Sequence, residues 1–166
     1  MSAAPGSAGW CTFGLAGALY GVDVERVQEV LRPTGLTRLP RAPLPVRGLL
    51  NLRGQIVPAI DLRVALGLPA APDGAPRPNL IVRDGAAAVS LIVDTIGDVQ
   101  PPDAGTLEPA PGTAGGPAGH LLSGVIPLAD RLLLVLDLDR TLDHAFSTDS
   151  TTTAAGPDHG RQGEPA

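Results

Sequence analysis

Residues 46–67 read VRGLLNLRGQIVPAIDLRVALG, two apolar runs separated by Asn51-Leu52-Arg53-Gly54 and closed by Pro58-Ala59-Ile60-Asp61-Leu62-Arg63. The pattern predicts a β-hairpin with an arginine on its turn. Leu49, Leu50 and Leu52 before the turn, and Ile56, Val57, Ile60 and Leu62 after it, are too densely apolar for a surface ribbon. Both strands are therefore expected to be buried on more than one side. Gly54 supplies the positive φ that a tight connection needs, and Arg53 is held out where a partner can meet it.

Working outward, the same strand-turn-strand pattern recurs. Residues 12–15 and 19–24 form a predicted hairpin around Ala16-Gly17, and residues 25–31 form a short turn or helical piece leading into another strand. Residues 79–82 and 87–93 flank Arg83-Asp84-Gly85, where Asp-Gly predicts a type I′ turn. Residues 121–126 and 132–136 flank Leu128-Ala129-Asp130-Arg131, and residues 138–146 end the fold as a short helix. Paired strands with turn signals between them argue for an all-β protein built of barrels, against a helical bundle or a parallel sheet.

The two halves of the chain resemble each other. Residues 48–62 align without a gap on residues 124–138, keeping the leading glycine, both apolar pairs and the closing Asp-Leu. Val22-Asp23 followed by Val27-Gln28 is echoed by Val93-Asp94 followed by Val99-Gln100, with one residue inserted. Two related small barrels are the natural inference.

Composition narrows the function. With 166 residues and 43% apolar content, the chain can form one domain, or two intimately joined halves, burying roughly two thirds of its unfolded surface. No apolar run reaches the roughly 18 residues of a membrane span, and MSAAPGSAGW lacks the regions of a secretory signal, so a cytoplasmic protein without membrane insertion is expected. The formal net charge is −5, the twelve basic residues are all arginine, and they form no run, which disfavours nucleic acid. Aromatics are limited to Trp10, Phe13, Tyr20 and Phe146, too few for a base-stacking platform. Cys11 stands alone, so it forms no internal disulfide or multi-cysteine metal site and reads as a buried or indifferent thiol. Gly and Pro together make 39 of the 166 residues and gather in the N-terminal lead, 69–78, 101–119 and the tail, which read as linkers. Residues 147–166 offer almost nothing to bury and read as disordered.

An enzyme reading has one foothold. A duplicated β-barrel with an aspartate in each half is the plan of an aspartic hydrolase, in which two carboxylates share a proton. Asp94-Thr95-Ile96-Gly97 nearly forms the Asp-Thr-Gly turn, but Ile96 interrupts it, and Asp23-Val24-Glu25 lacks the hydroxyl and the glycine. Asp61 and Asp137 suit strand ends or helix caps better than acid-base work. No phosphate loop, H-E-x-x-H or G-x-S-x-G is present, and His120, His144 and His159 are too scattered in sequence for a metal cluster. No catalytic residue, metal or cofactor is expected, and a binding module is the better reading.

The pattern G-x-x-N-L-R-G-x-I-V-P-x-I-D-L-R, with Tyr20-Gly21-Val22-Asp23 and Val27-Gln28-Glu29-Val30 ahead of it and Leu122-Ser123-Gly124-Val125 behind, resembles the CheW-type chemotaxis coupling proteins. The resemblance runs over residues 10–146, leaving 1–9 as a flexible lead and 147–166 as the tail. It implies two interleaved five-stranded SH3-like β-barrels. It also implies a non-catalytic adaptor joining the cytoplasmic tips of chemoreceptors to the regulatory domain of a CheA-type histidine kinase, at membrane-associated receptor arrays. Carried over, the receptor groove would involve Val27, Glu29, Arg53 and Gly54, with Val89 and Ile92 opposite and Glu29 paired to Arg53. Gly48, Val57 and Pro58 are the candidates for structural or kinase-side contact. The same fold can serve another chemosensory-type pathway, such as pilus motility or a regulatory output. The chain departs from the family before Leu121, where PAPGTAGGPAGH replaces bulkier apolar residues that help join coupling proteins and kinases into rings.

Overall fold

The computed structural model describes residues 8–33, 35–72, 74, 76–111 and 116–147. The N-terminal lead up to residue 7, the tail from 148 and residues 112–115 of the glycine-rich link lie outside them. Ten strands, β1 (Trp10–Leu15), β2 (Ala18–Asp23), β3 (Val27–Leu31), β4 (Val46–Leu52), β5 (Gln55–Asp61), β6 (Asn79–Asp84), β7 (Ala87–Ile92), β8 (Thr95–Gln100), β9 (Leu122–Pro127) and β10 (Leu132–Leu136), are joined by two helices, α1 (Leu62–Ala65) and α2 (Leu138–Phe146). They form two five-stranded sheets, ordered β8-β1-β2-β10-β9 and β3-β6-β7-β5-β4. The mostly-β class and the closing helix are as expected from sequence.

The two sheets are interleaved by exchange. Each half of the chain contributes a hairpin and then a three-strand run, yet β1-β2 joins β8, β9 and β10, while β6-β7 joins β3, β4 and β5. Both sheets are assembled by the same contacts: two antiparallel hairpins, one antiparallel edge join, β8 on β1 in the first and β3 on β6 in the second, and one parallel join, β10 on β2 in the first and β5 on β7 in the second. The core follows this plan. One large cluster, with Phe13, Leu15, Tyr20 and Val22 from one sheet and Ile60, Leu80, Val82, Val89 and Leu91 from the other, is shared and includes Leu138 and Leu142 of α2. A second cluster, Leu50, Leu52, Val57, Ala59, Ile81, Ala88 and Ile92, belongs to the β3-to-β4 sheet, and a third, Trp10, Ile126, Leu133 and Val135, to the other. Central strands thus bury both faces, which is why their sequences are continuous apolar runs.

The structure corrects four details. The register Asp84↔Ala87 makes the β6–β7 loop Gly85-Ala86, with positive φ at Gly85 alone, the pattern of a type II′ turn and not the expected I′. The echo of Val22-Asp23 in Val93-Asp94 is not an equivalence. The turn-closing pairs Leu15↔Ala18 and Asp84↔Ala87 correspond, so Val27, opposite Val82, matches Ile96, opposite Phe13, and not Val99. Strand β8 was not legible, because it lies at a sheet edge with five of its six residues exposed. Helix α1, a single turn, was also missed.

A buried-edge polar network fastens the exchange. Arg63 of α1 donates to both carboxylate oxygens of Asp94 at 2.9 and 2.6 Å, and Asp94 also accepts the Ala16 amide from the β1–β2 turn at 2.8 Å. Arg63 reaches the Pro69 carbonyl as well, tying the following loop to the same point. Arg77 meets the buried Asp61 at 3.1 and 2.8 Å. These arginines are satisfied by fixed acceptors: Arg63, through Asp94, ties the end of β5 to the β1–β2 turn of the other sheet, while Arg77 pins the end of β5 to the approach to β6 within one sheet.

Candidate partner-binding surface

The β4–β5 turn consists of Arg53 (φ 51°) and Gly54 (φ 85°), the paired positive values of a type I′ turn. Asn51 accepts the Gly54 amide at 2.8 Å and closes it. Asparagine or glycine suits the first position of such a turn, whereas an arginine there is held in a conformation costing on the order of 1 kcal/mol. The guanidinium makes a two-point ion pair with Glu29 on β3, Nη1 to Oε1 at 3.3 Å and Nη2 to Oε2. Hydrogen bonding to Arg53 holds the Glu29 carboxyl below its ordinary range, and the same bond raises the guanidinium. The Arg53 side chain remains 66% exposed, so the pair orients a charge without removing it from water.

Glu29, Arg53 and Gly54 therefore meet at one tip. Val27 lies on the same strand as Glu29, half-buried and packed against the shared core. The opposite wall is different. Val27, Val82 and Val89 are consecutive partners across β3, β6 and β7, and Val89 is buried in the shared core, while Ile92 is buried in the second cluster on the other face of the sheet. Three residues apart on one strand, Val89 and Ile92 point to opposite faces and form no common edge. Gly48 is buried where a Cβ would overlap the Thr37 carbonyl, and Val57 is fully buried, so both have packing reasons. Pro58, half-buried, precedes the start of the β5–β7 ladder at Ala59, where its missing N–H costs no bond. Sequence reading missed Val30 and Ile56, 46% and 58% exposed, flanking Glu29 and the Arg53 turn. The signal was available, since Val30 is apolar at an outward position of an alternating edge strand.

The hydrolase geometry fails on placement. Asp23 pairs with Trp10, and the Asp94 amide bonds the Gly14 carbonyl, so the two acids lie at opposite ends of β1, roughly 13 Å apart along the strand. The Asp94 carboxylate is also committed to Arg63, whose hydrogen bond keeps it low. His120 and His144, distant in sequence, stand edge to face with centroids 5.8 Å apart, but among the described residues no group of three or more potential metal ligands forms around them. Cys11 is buried, and burial pushes its thiol up, away from reactivity.

Residues 10–146 match the model of the CheW-like domain, from the first residue of β1 to the last of α2. The chain belongs to the CheW-like domain family. It is 33% identical over 130 residues to chemotaxis protein CheW of Klebsiella aerogenes, covering 78% of each chain. It is 28% identical over 135 residues to chemotaxis protein CheW of Bacillus subtilis, covering 81% of this chain and 86% of that one. It is also 36% identical over 107 residues to protein FrzA of Myxococcus xanthus, covering 64% and 66%. The crystal structure of scaffolding protein TtCheW from Thermoanaerobacter tengcongensis superposes with a TM-score of 0.69 at 29% identity, covering 79% of this chain and 89% of that one. Within this CheW-like fold, the Arg53 tip is a place where charge, exposure and backbone strain coincide beside an orienting carboxylate.

Proposed function

We propose that this CheW-like chain is a non-catalytic chemotaxis adaptor that couples the cytoplasmic tips of chemoreceptors to a CheA-type histidine kinase. The reading rests on family membership, and the observation that carries the site is the exposed Arg53, strained at positive φ and oriented by Glu29. An arginine kept where packing does not need it and turn chemistry disfavours it is held there for a partner. The receptor face comprises Arg53, Gly54, Glu29 and the exposed side of Val27, with Val30 and Ile56 as its apolar rim. The kinase regulatory domain binds another face, to which Pro58 of the three sequence candidates offers exposed surface. Work of this kind is done at the receptor array on the cytoplasmic side of the membrane, and no described helix is long and apolar enough to cross a bilayer. The likeness to FrzA favours, as a second reading, the same adaptor role in another chemosensory-type pathway.

The test is Arg53→Ala in a reconstituted mixture of receptor, kinase and this chain. Thermal stability and kinase binding are expected to be retained, because exposed ion pairs are worth about 0–1 kcal/mol. Receptor-dependent kinase activation should fall roughly thirtyfold in apparent affinity, the loss of about 2 kcal/mol at a desolvated arginine. Undiminished activation removes Arg53 from the receptor face.

A further inference from the structure

Between Glu29 and Asp61 the chain carries no acidic residue but has five arginines, at positions 32, 38, 41, 47 and 53, in a protein whose net charge is −5. Elsewhere arginines are mostly committed. Arg26, Arg63, Arg77, Arg83 and Arg140 each bond a carboxylate or a backbone carbonyl, and within the stretch Arg53 holds Glu29. Arg38, Arg41 and Arg47 have no such partner among the described residues, and all three line one open recess of about 420 Å³ with Leu39, Pro40 and Val46. Leu39 is 43% exposed and the nearby Leu44 67% exposed, so aliphatic surface lies beside the cations.

The recess is built rather than incidental. Arg41 has a φ of 63°, a left-handed backbone that a glycine would adopt without strain. Pro33, Pro40, Pro43 and Pro45 stiffen the connection from β3 to β4, which lowers the ordering cost of binding. The isolated bridge between Thr37 and Leu49 covers the open edge of β4, so an incoming segment meets side chains and not a free ladder. Arg47 lies six residues from Arg53 on the same strand and turn, roughly 20 Å away, which separates this surface from the Arg53 tip.

We infer that the recess of Arg38, Arg41 and Arg47 docks an acidic, aliphatic peptide segment of a partner protein, independently of the receptor face. Uncommitted guanidinium forks select carboxylates, and exposed Leu39 and Leu44 with the Val46 floor select aliphatic side chains between them. An anionic bilayer is the poorer occupant. A membrane plane faces a whole side of an acidic molecule, whereas a peptide in a recess senses mainly charges within a Debye length of about 8 Å.

The probe is a fluorescein-labelled eight-residue peptide of alternating Glu and Leu, titrated with the full chain and compared with its Gln/Leu counterpart and with phosphatidylglycerol vesicles. The Glu/Leu peptide should bind at low ionic strength, weaken with salt, and lose at least about tenfold in affinity to Arg38→Gln/Arg41→Gln/Arg47→Gln. Arg53→Ala should leave this affinity unchanged, so that failure of the recess and failure of the receptor face are distinguishable. The double variant Arg38→Glu/Arg47→Glu spares the strained Arg41 backbone and should prefer a Lys/Leu peptide. Equal binding of the Gln/Leu peptide, no effect of the arginine substitutions, no peptide binding at all, or arginine-dependent binding to vesicles in its place overturns the inference.

Discussion

The hairpins β4–β5 and β9–β10 occupy equivalent places in the two sheets and differ where it matters. Both carry, as the third residue of their first strand, a glycine whose absent Cβ admits a carbonyl, Thr37 at Gly48 and Glu108 at Gly124. Each receives an isolated bridge one residue later, Thr37↔Leu49 and Glu108↔Val125, and each ends in an aspartate that caps the next helix. The tips diverge: Arg53-Gly54 is a two-residue turn carrying an oriented charge, whereas Leu128 to Arg131 is a four-residue loop whose Leu128 amide simply bonds the Arg131 carbonyl. Packing constrains the frame in both copies. The tip carries no packing duty, so one copy can be specialised for a partner.

Breaking the shared frame should have the largest effect. Gly48→Val and Gly124→Val each force a side chain into a carbonyl, and each should cost about 3 kcal/mol or more in urea unfolding. A large loss at one glycine with little at the other would show that the frame is not shared. The caps come next and should differ. Asp61 is buried, caps Arg63 at 3.0 Å and neutralises Arg77, so Asp61→Ala should cost about 2–4 kcal/mol. Asp137 is more exposed and caps only α2 at 3.1 Å, with a long Arg140 contact, so Asp137→Ala should cost about 1 kcal/mol. Equal costs would show that the Arg77 pin contributes nothing.

The third prediction concerns acid. The Asp94 carboxyl is depressed, first by its hydrogen bond to Arg63, so its contribution is fully present above the ordinary aspartate range near pH 4. It is lost as pH falls through the folded-state value, below that range. Because the pair is partly solvated, the amount is about 1 kcal/mol or less, and the stability gap between the parent and Asp94→Asn should narrow as pH falls below the ordinary aspartate range near pH 4. A gap that stays constant over that fall contradicts the ion-pair account. Smallest of all should be Arg53→Asn, where a residue suited to positive φ offsets the lost exposed pair, leaving the urea midpoint essentially unchanged. A clearly lowered midpoint would make the β4–β5 tip part of the frame after all.

Much of this was legible because it is local. The hairpins came from apolar runs and turn residues, the α2 span from its pattern, and the Gly48-to-Leu62 likeness to Gly124-to-Leu138 survived as matching bridges and caps. The Arg53 tip was readable because an arginine in an apolar hairpin has no packing purpose. The recess of Arg38, Arg41 and Arg47 had only a partial trace in sequence, as a stretch of arginines without acids.

The sequence by itself determined the strand pairs, the duplication and the charged turn, since period, turn chemistry and residue type act over a few neighbouring residues. Only the tertiary structure decided which strands each exchanged hairpin joins and that Val89 and Ile92 are core on opposite faces and not a groove wall; it also brings together, across 24 residues of chain, the Glu29 and Arg53 whose pairing the family resemblance implied. The physical reason is that sheet partners and buried faces are set by which surfaces the whole chain can cover at once. An edge strand such as β8, which gains its hydrogen bonds from a distant β1 and buries little of its own, leaves almost no mark in its sequence.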